Sequence, residues 1–269
     1  NAQSRIFEEM LRKRNIPYKI YGGQSFYERK EIRDLIAYLR LIVNPDDEEA
    51  LRRVINYPKR GIGDTTVQKL MELARALEVS IWSVISSPEL SARLLAPALR
   101  TKVSQFTGLM LPLMAVAETA TAYDIASGMA SASGIITELK QGQVPEEIDR
   151  LENLQELLNG IKEFTESAVT NGEPADIATW LQSVALLTDQ DLEKPEDRDK
   201  VTLMTIHSAK GLEFKYVYIV GLEENLFPSA MNIFNPRELE EERRLFYVAL
   251  TRACRRVTLS YALNRYKWG

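Results

Sequence analysis

The chain has 269 residues, 45% of them hydrophobic and 27% charged, with a formal net charge of −4. That balance is globular and long enough for one large domain or two ordinary ones with a sizeable core, and it excludes attraction to nucleic acid by a global basic field, so any such contact must come from local geometry. A single cysteine, Cys254, and a single histidine, His207, exclude an internal disulfide framework, a multi-cysteine metal site and a His–His metal pair.

Asn1 opens directly into a helical pattern without an initiator methionine, and the chain reads as an excised fragment. Ile6, Phe7, Met10 and Leu11 stand at helical spacing and predict a helix over 2–14, ended by Asn15 and Pro17. Tyr18-Lys19-Ile20-Tyr21 reads as a short strand stopped by Gly22-Gly23. Phe26 and Tyr27 follow; they can stack on bases, though packing where two parts of the chain meet is the simpler reading. Ile32, Leu35, Ile36 and Leu39 mark the face of a second helix, broken and recapped by Asn44-Pro45-Asp46-Asp47. A short helix through Leu51, Val54 and Ile55 stops before Pro58, and another carries Val67, Leu70, Met71 and Ala74 on one face.

Residues 80–187 read as nearly all helical, with loops near Pro88, Pro97, Gly134, Gly142 and 172–174. Leu151, Leu154, Leu157, Leu158 and Ile161 give the clearest face, and Trp82 and Trp180 read as core. The most apolar tract, 109–117, is too short for a membrane span and contains Pro112, and no segment reads as a signal peptide; the chain looks cytosolic. Residues 189–200 are highly charged, contain Pro195 and read as a solvated linker. Strands over 201–206, 216–220 and 257–262 and a helix over 238–253 follow, and this alternation indicates an α/β domain. The opening helix–strand unit belongs with it, which makes the helical middle an insertion.

Three stretches carry chemistry. Thr205-Ile206-His207-Ser208-Ala209-Lys210-Gly211-Leu212-Glu213-Phe214 reads as a buried strand ending at His207, a polar glycine-containing turn and a second strand. Such a turn at a strand's carboxyl end can aim N–H groups, Lys210 and Glu213 at a ligand, Glu213 accepting from ribose hydroxyls; an ordinary connection with a solvated Glu213 fits the pattern equally. His207 reads as a hydrogen-bonded structural residue or a DNA-phosphate contact rather than a catalyst, because no partnered serine or cysteine nucleophile is evident. In the second stretch, 240–253, the early charges are explained by helix stabilisation, with Glu240 pairing Arg244. Arg252, after the apolar run 246–250, either caps the helix end or makes a bidentate phosphate contact that stabilises a transferring phosphoryl group.

The third is Pro58-Lys59-Arg60-Gly61-Ile62-Gly63-Asp64-Thr65-Thr66, a tight turn between two helices. Its glycines let backbone approach a phosphate, the next helix start offers N–H groups with Asp64, Thr65 or Thr66 as cap, Lys59 and Arg60 add charge, and Ile62 anchors the turn. That is the logic of a helix–hairpin–helix gripping the DNA backbone without reading sequence; a plain helix–helix turn is the alternative. The chain contains no G-x-x-x-x-G-K-[ST] phosphate loop and no strand ending in a Mg²⁺-binding acidic pair.

Together these motifs resemble the C-terminal half of UvrD/PcrA/Rep-type superfamily 1 DNA helicases. The likeness runs from Asn1-Ala2-Gln3-Ser4-Arg5 through Tyr21-Gly22-Gly23, 26–32, Arg60-Gly61-Ile62-Gly63, 205–214, Glu223-Glu224 with Phe227-Pro228, and 240–253; the 205–214 and 240–253 blocks are highly specific. The resemblance implies a motor of two RecA-like domains moving 3′ to 5′ on single-stranded DNA. This chain then supplies a partial RecA-like (P-loop NTPase-type) α/β domain, N-terminally truncated, from residues 1–27 and 196–269, interrupted by a mainly helical insertion at 28–195.

By the same resemblance Glu213, with Gly211 beside it, contacts the nucleotide ribose. Arg252 is the catalytic arginine finger sensing the γ-phosphate. Thr205 and His207 link the nucleotide site to single-stranded DNA, and Asn1 lies beside a DNA contact. Gly61-Ile62-Gly63, with Lys59, Arg60, Thr65 and Thr66, grips duplex. ATP and Mg²⁺ belong to the full-length parent, with none expected bound to this piece and the isolated piece inactive. Its partners are single-stranded and duplex DNA, the N-terminal RecA-like half and DNA-repair proteins, in a bacterial cytosol near the nucleoid and with no membrane. Two alternatives stand beside this: a DNA-binding or regulatory module without ATPase activity, and a nuclease–helicase fusion of the RecB/AddA kind, against which the compact length before Thr205 argues.

Overall fold

The computed structural model describes residues 3–141, 144–189, 199–229 and 235–263. Helix α1 (Ser4–Lys13) turns out at Asn15, whose φ of 52° is one asparagine tolerates, into strand β1 (Tyr18–Ile20). A 3₁₀ turn (Phe26–Glu28) with a Ser25/Glu28 capping box then leads into the helices. These are α2 (Lys30–Val43), α3 (Glu48–Val54), α4 (Asp64–Ala76), α5 (Ile81–Ser86), α6 (Pro88–Leu94), α7 (Pro97–Val116), α8 (Ala122–Ala132), α9 (Ile135–Gln141), α10 (Pro145–Asn171) and α11 (Ile177–Asp189). The chain continues through β2 (Val201–Leu203), β3 (Phe214–Ile219), α12 (Pro236–Leu250) and β4 (Ala253–Leu259).

The punctuation follows the side-chain chemistry. Asp47, Ser80, Ser87 and Thr121 accept from the third residue of the helices they cap. Proline occupies the first position of α6, α7 and α10, where its missing N–H costs nothing. Gly172, in the left-handed region at φ 71°, ends α10. Pro112 lies inside α7.

The core is built on α2. Ile32, Leu35, Tyr38 and Leu39 are fully buried there and join Phe106, Met110, Ile125, Leu154, Leu158, Ile161 and Trp180 in one cluster. Ile36 and Leu151 are partly buried against it, so the expected faces are the packed ones. Phe26 is fully buried and Tyr27 nearly so, which settles their choice in favour of packing over base stacking. No helix among the described residues is long and apolar enough to cross a membrane.

The structure adds to the sequence pattern or corrects it in three places. First, α1 buries Arg5, Glu8 and Arg12, whereas Ile6 and Met10 are exposed. The inner face is polar because its charges are paired: Arg5 pairs with Glu9, with Glu156 at 3.0 Å and with Glu163 at 3.1 Å on α10. Glu8 accepts from Ser25 Oγ at 2.6 Å and from the Phe26 N–H. Gly160 makes room, since a Cβ there would stand 2.6 Å from the Arg5 guanidinium.

Second, the strand expected to run to residue 206 ends at Leu203, so His207 lies in the following turn and not at a buried strand end. Thr205 diverts the backbone: its Oγ1 accepts from the Ser208 N–H and its carbonyl from the Ala209 N–H, local bonds that compete with a sheet ladder. Third, the strands form two separate parallel pairs. In β1–β2, Tyr18 faces Val201 and Ile20 faces Leu203; in β3–β4, Val217 faces Val257 and Ile219 faces Leu259. The fold is thus mixed α/β, mostly helical with small parallel sheets. The first pair joins segments on either side of the helical middle.

Candidate functional site

At the foot of β3 the backbone is tied to the end of α12. The Phe214 N–H donates to the Arg252 carbonyl at 2.9 Å, and Arg252 Nη1 donates to the Leu212 carbonyl at 3.1 Å. Arg252 Nε also donates to Val248 O, and Nη2 to Thr251 Oγ1, both at 2.9 Å. The side chain thus caps the helix end, and its three engaged N–H groups leave two of the five that a guanidinium carries.

Glu213, next to Leu212, is exposed, and its Oε2 accepts from Cys254 Sγ at 3.8 Å. Gly211 precedes them at φ 85°, a left-handed conformation that a side chain would strain. The fold thus ties Arg252 to the carbonyl of Leu212, which stands between Gly211 and Glu213 in the chain. In the sequence Cys254 counted only for the disulfides and metal sites it excludes, and the Leu212 carbonyl went unnoticed because a backbone acceptor leaves no residue-type signal there.

Thr205 and His207 share the preceding turn but do not bond to Glu213 or Arg252. Thr205 Oγ1 lies 2.9 Å from Ser208 Oγ, and Ser208 sits over Gly22, where a Cβ would stand 3.0 Å from the hydroxyl. The end of β1 is thereby held against this turn. His207 and Lys210 are exposed. On α12 the Glu240–Arg244 pair expected from spacing is long, at 3.7 Å; Arg243 takes Glu240 at 2.6 Å instead, and Arg244 takes Glu241 at 2.5 Å. The Arg243 hydrogen bond holds the Glu240 carboxyl below its ordinary range. Asn1 lies outside the described residues.

The second place is the turn before α4. Asn56 Oδ1 accepts from the Arg60 N–H at 2.9 Å and the Ile62 N–H at 3.0 Å, folding the loop around one side-chain oxygen. Ile62 is fully buried and anchors it, while Lys59, Gly61, Gly63 and Thr65 are exposed and Thr66 is half-buried. Gly61 has φ 71°. The residue before α4 is Gly63, and no side chain caps the helix, so neither Asp64, Thr65 nor Thr66 plays that part. The N–H groups of Thr66 and Val67 reach the Gly63 carbonyl, and those ahead of them have no carbonyl one turn back.

Arg60 departs from expectation. Its guanidinium donates to the carbonyls of Val54, Pro58 and Ser133 and lies over the rings of Tyr38 and Phe106, bracing the turn from inside. Burial raises the Tyr38 phenol above its usual value against the pull of that cation. On the outer side Lys102, from α7, donates to the Gly61 carbonyl at 2.9 Å. Asn56 and Lys102 both escaped the sequence reading. An asparagine just ahead of a Pro-Lys-Arg-Gly turn was a readable signal, but a lysine 41 residues away was not.

The sequence matches the family described as the UvrD-like helicase C-terminal domain over residues 1–264. It is 42% identical over 275 aligned positions to the ATP-dependent DNA helicase PcrA of Leuconostoc citreum, which covers 100% of this chain and 36% of that protein. It is 39% identical over 274 positions to DNA helicase II of Salmonella typhimurium and to DNA helicase II of Escherichia coli, in each case 100% of this chain and 37% of the relative. The chain therefore spans a little over a third of the length of these relatives. With a match along nearly its whole length, the chain belongs to the UvrD-like helicase C-terminal domain family.

Proposed function

We propose that the chain is the C-terminal part of an ATP-dependent DNA helicase that translocates 3′ to 5′ on single-stranded DNA and unwinds duplex. The observation that carries this reading is the tie of Arg252 to the carbonyl of Leu212, the residue just ahead of the exposed Glu213. An arginine held by three of its N–H groups, with two to spare, suits stabilisation of charge on a γ-phosphate. The exposed carboxylate of Glu213, next to Leu212 in the chain, suits the ribose hydroxyls. The 269 residues hold no phosphate loop, so the triphosphate itself is bound by an N-terminal RecA-like half.

In this reading residues 1–27 and 196–269 form the second RecA-like domain and 28–195 its insertion; the β1–β2 pairing, which brings the two flanking segments together, supports that division. Thr205, His207 and Asn1 face single-stranded DNA, and the turn from Lys59 to Thr66 grips duplex through its backbone and charge. The parent works in a bacterial cytosol, with DNA-repair proteins among its partners. A second reading, a DNA-binding module without ATPase activity, draws on the same Arg252 bonds read as a helix cap.

DNA-stimulated ATP hydrolysis, measured on the intact parent and on this chain side by side, separates them. Activity in the parent alone is expected. A parent without DNA-stimulated hydrolysis would favour the module, and hydrolysis by this chain alone would refute the division of labour between halves.

A further inference from the structure

We propose that Lys102 is a phosphate-binding residue of the duplex-gripping turn, and that Gly61 is a glycine in part to seat it. The inference rests on the assignment of that turn to duplex DNA. Sequence order pairs Lys59 with Arg60 as the turn's positive charges, but Arg60 is spent on three inward carbonyls and two aromatic rings. Lys102 reaches the turn from the second turn of α7, and its ammonium lies 2.9 Å from the Gly61 carbonyl oxygen.

Two features separate Lys102 from an ordinary surface lysine. The first is fit: a Cβ on Gly61 would stand 2.9 Å from Lys102 Nζ and 3.3 Å from its Cε, so a side chain at 61 would push the end of the lysine aside as well as straining a backbone at φ 71°. The second is unspent charge. No carboxylate among the described residues lies within ion-pair distance of Lys102, and the Gly61 carbonyl takes one of the three donors of an ammonium. A neutral acceptor leaves the full positive charge in place, fixed where the backbone is most exposed. Holding a flexible lysine stem there in advance lowers the ordering cost of meeting a phosphate. Lys59 is exposed on the same turn, so the turn presents two lysines separated in sequence and joined by the fold.

The test uses the 269-residue chain and a fluorescent blunt duplex, with affinity measured by anisotropy across a salt series. Lys102→Gln should weaken duplex binding by about three- to tenfold and lower the slope of log affinity against log salt by about 0.9, the signature of one lost phosphate contact. Lys102→Arg should restore both, and melting temperature should be unchanged in each. A merely structural lysine would move the melting temperature and leave the salt slope alone. If Lys102→Gln keeps the wild-type slope and affinity while Gly63→Val or Lys59→Gln loses binding, the turn grips duplex and the proposal for Lys102 is wrong. If the wild-type chain does not bind duplex, or all these variants bind like wild type, the assignment of the turn falls and the proposal with it.

Discussion

At the scale of single residues, two arginines with several partners each do opposite things. Arg252 is anchored yet keeps donors free, so its replacement should spare the fold more than the chemistry. In the intact parent, Arg252→Ala should bind ATP but hydrolyse it at least roughly tenfold more slowly, about 1.4 kcal/mol of barrier or more. Steady-state kinetics should place the loss in kcat and not in KM; unchanged turnover would remove Arg252 from the mechanism. Arg5 is structural. Burial works against its charge, but Glu9, Glu156 and Glu163 outweigh that and hold its pKa above the ordinary value. Arg5→Ala strands a cluster of carboxylates around a buried gap and should cost about 3 kcal/mol in urea unfolding of this chain. A loss near zero would mean that water screens the cluster after all.

At the scale of elements, helix α11 shows how one cap sets a pH dependence. Asp176 accepts from the Thr179 N–H at 3.0 Å and from its hydroxyl at 2.8 Å. Those bonds, the backbone one foremost, hold its carboxyl below the ordinary value of 3.8. A depressed carboxylate contributes fully above the unfolded value and loses its contribution as pH falls through the folded one. Asp176→Ala should therefore cost about 1 kcal/mol at neutral pH, and the gap between the two melting temperatures should close below about pH 4. A gap that persisted to pH 2 would show that the cap acts by shape and not by charge.

Elements of this kind were legible because their signals are local. Proline at helix starts, glycine at φ above zero and the 3.6-residue spacing of Leu154, Leu158 and Ile161 are all written within a few residues. The inner face of α1 was not legible, because Ile6 and Met10 form the apolar stripe that normally points inward and only the distant Glu156, Glu163 and Gly160 reverse it. The candidate site divides the same way. Glu213, Gly211 and Arg252 stand in contiguous motifs, whereas Lys102 at the turn and the inward swing of Arg60 depend on which helices lie behind them.

At the scale of the whole molecule, burial is uneven. The continuous apolar core runs from Phe26 to Val184 and lies almost wholly in the helices. Outside it, among the described residues of β2, β3, α12, β4 and their connections, the buried apolar side chains are Ala209, Ile219 and Ala249. Tyr216, Tyr218 and Tyr247 are 58%, 73% and 67% exposed, and each strand pair has only two members to share its hydrogen bonds. Local stability follows buried apolar contact and shielded backbone bonds. Hydrogen exchange of this chain should therefore be slowest in α2, α8 and α10 and at least about tenfold faster in β3, β4 and α12. If the proposed N-terminal half of the parent packs over the Arg252 site, the same β3 and β4 amides should slow in the parent while those of α2 stay as they were. Equal protection of β3 and α2 in this chain would contradict the uneven core. Unchanged exchange of β3 in the parent would contradict closure over the site, because burying those tyrosines and shielding the edges of the β3–β4 pair must slow the amides beneath them.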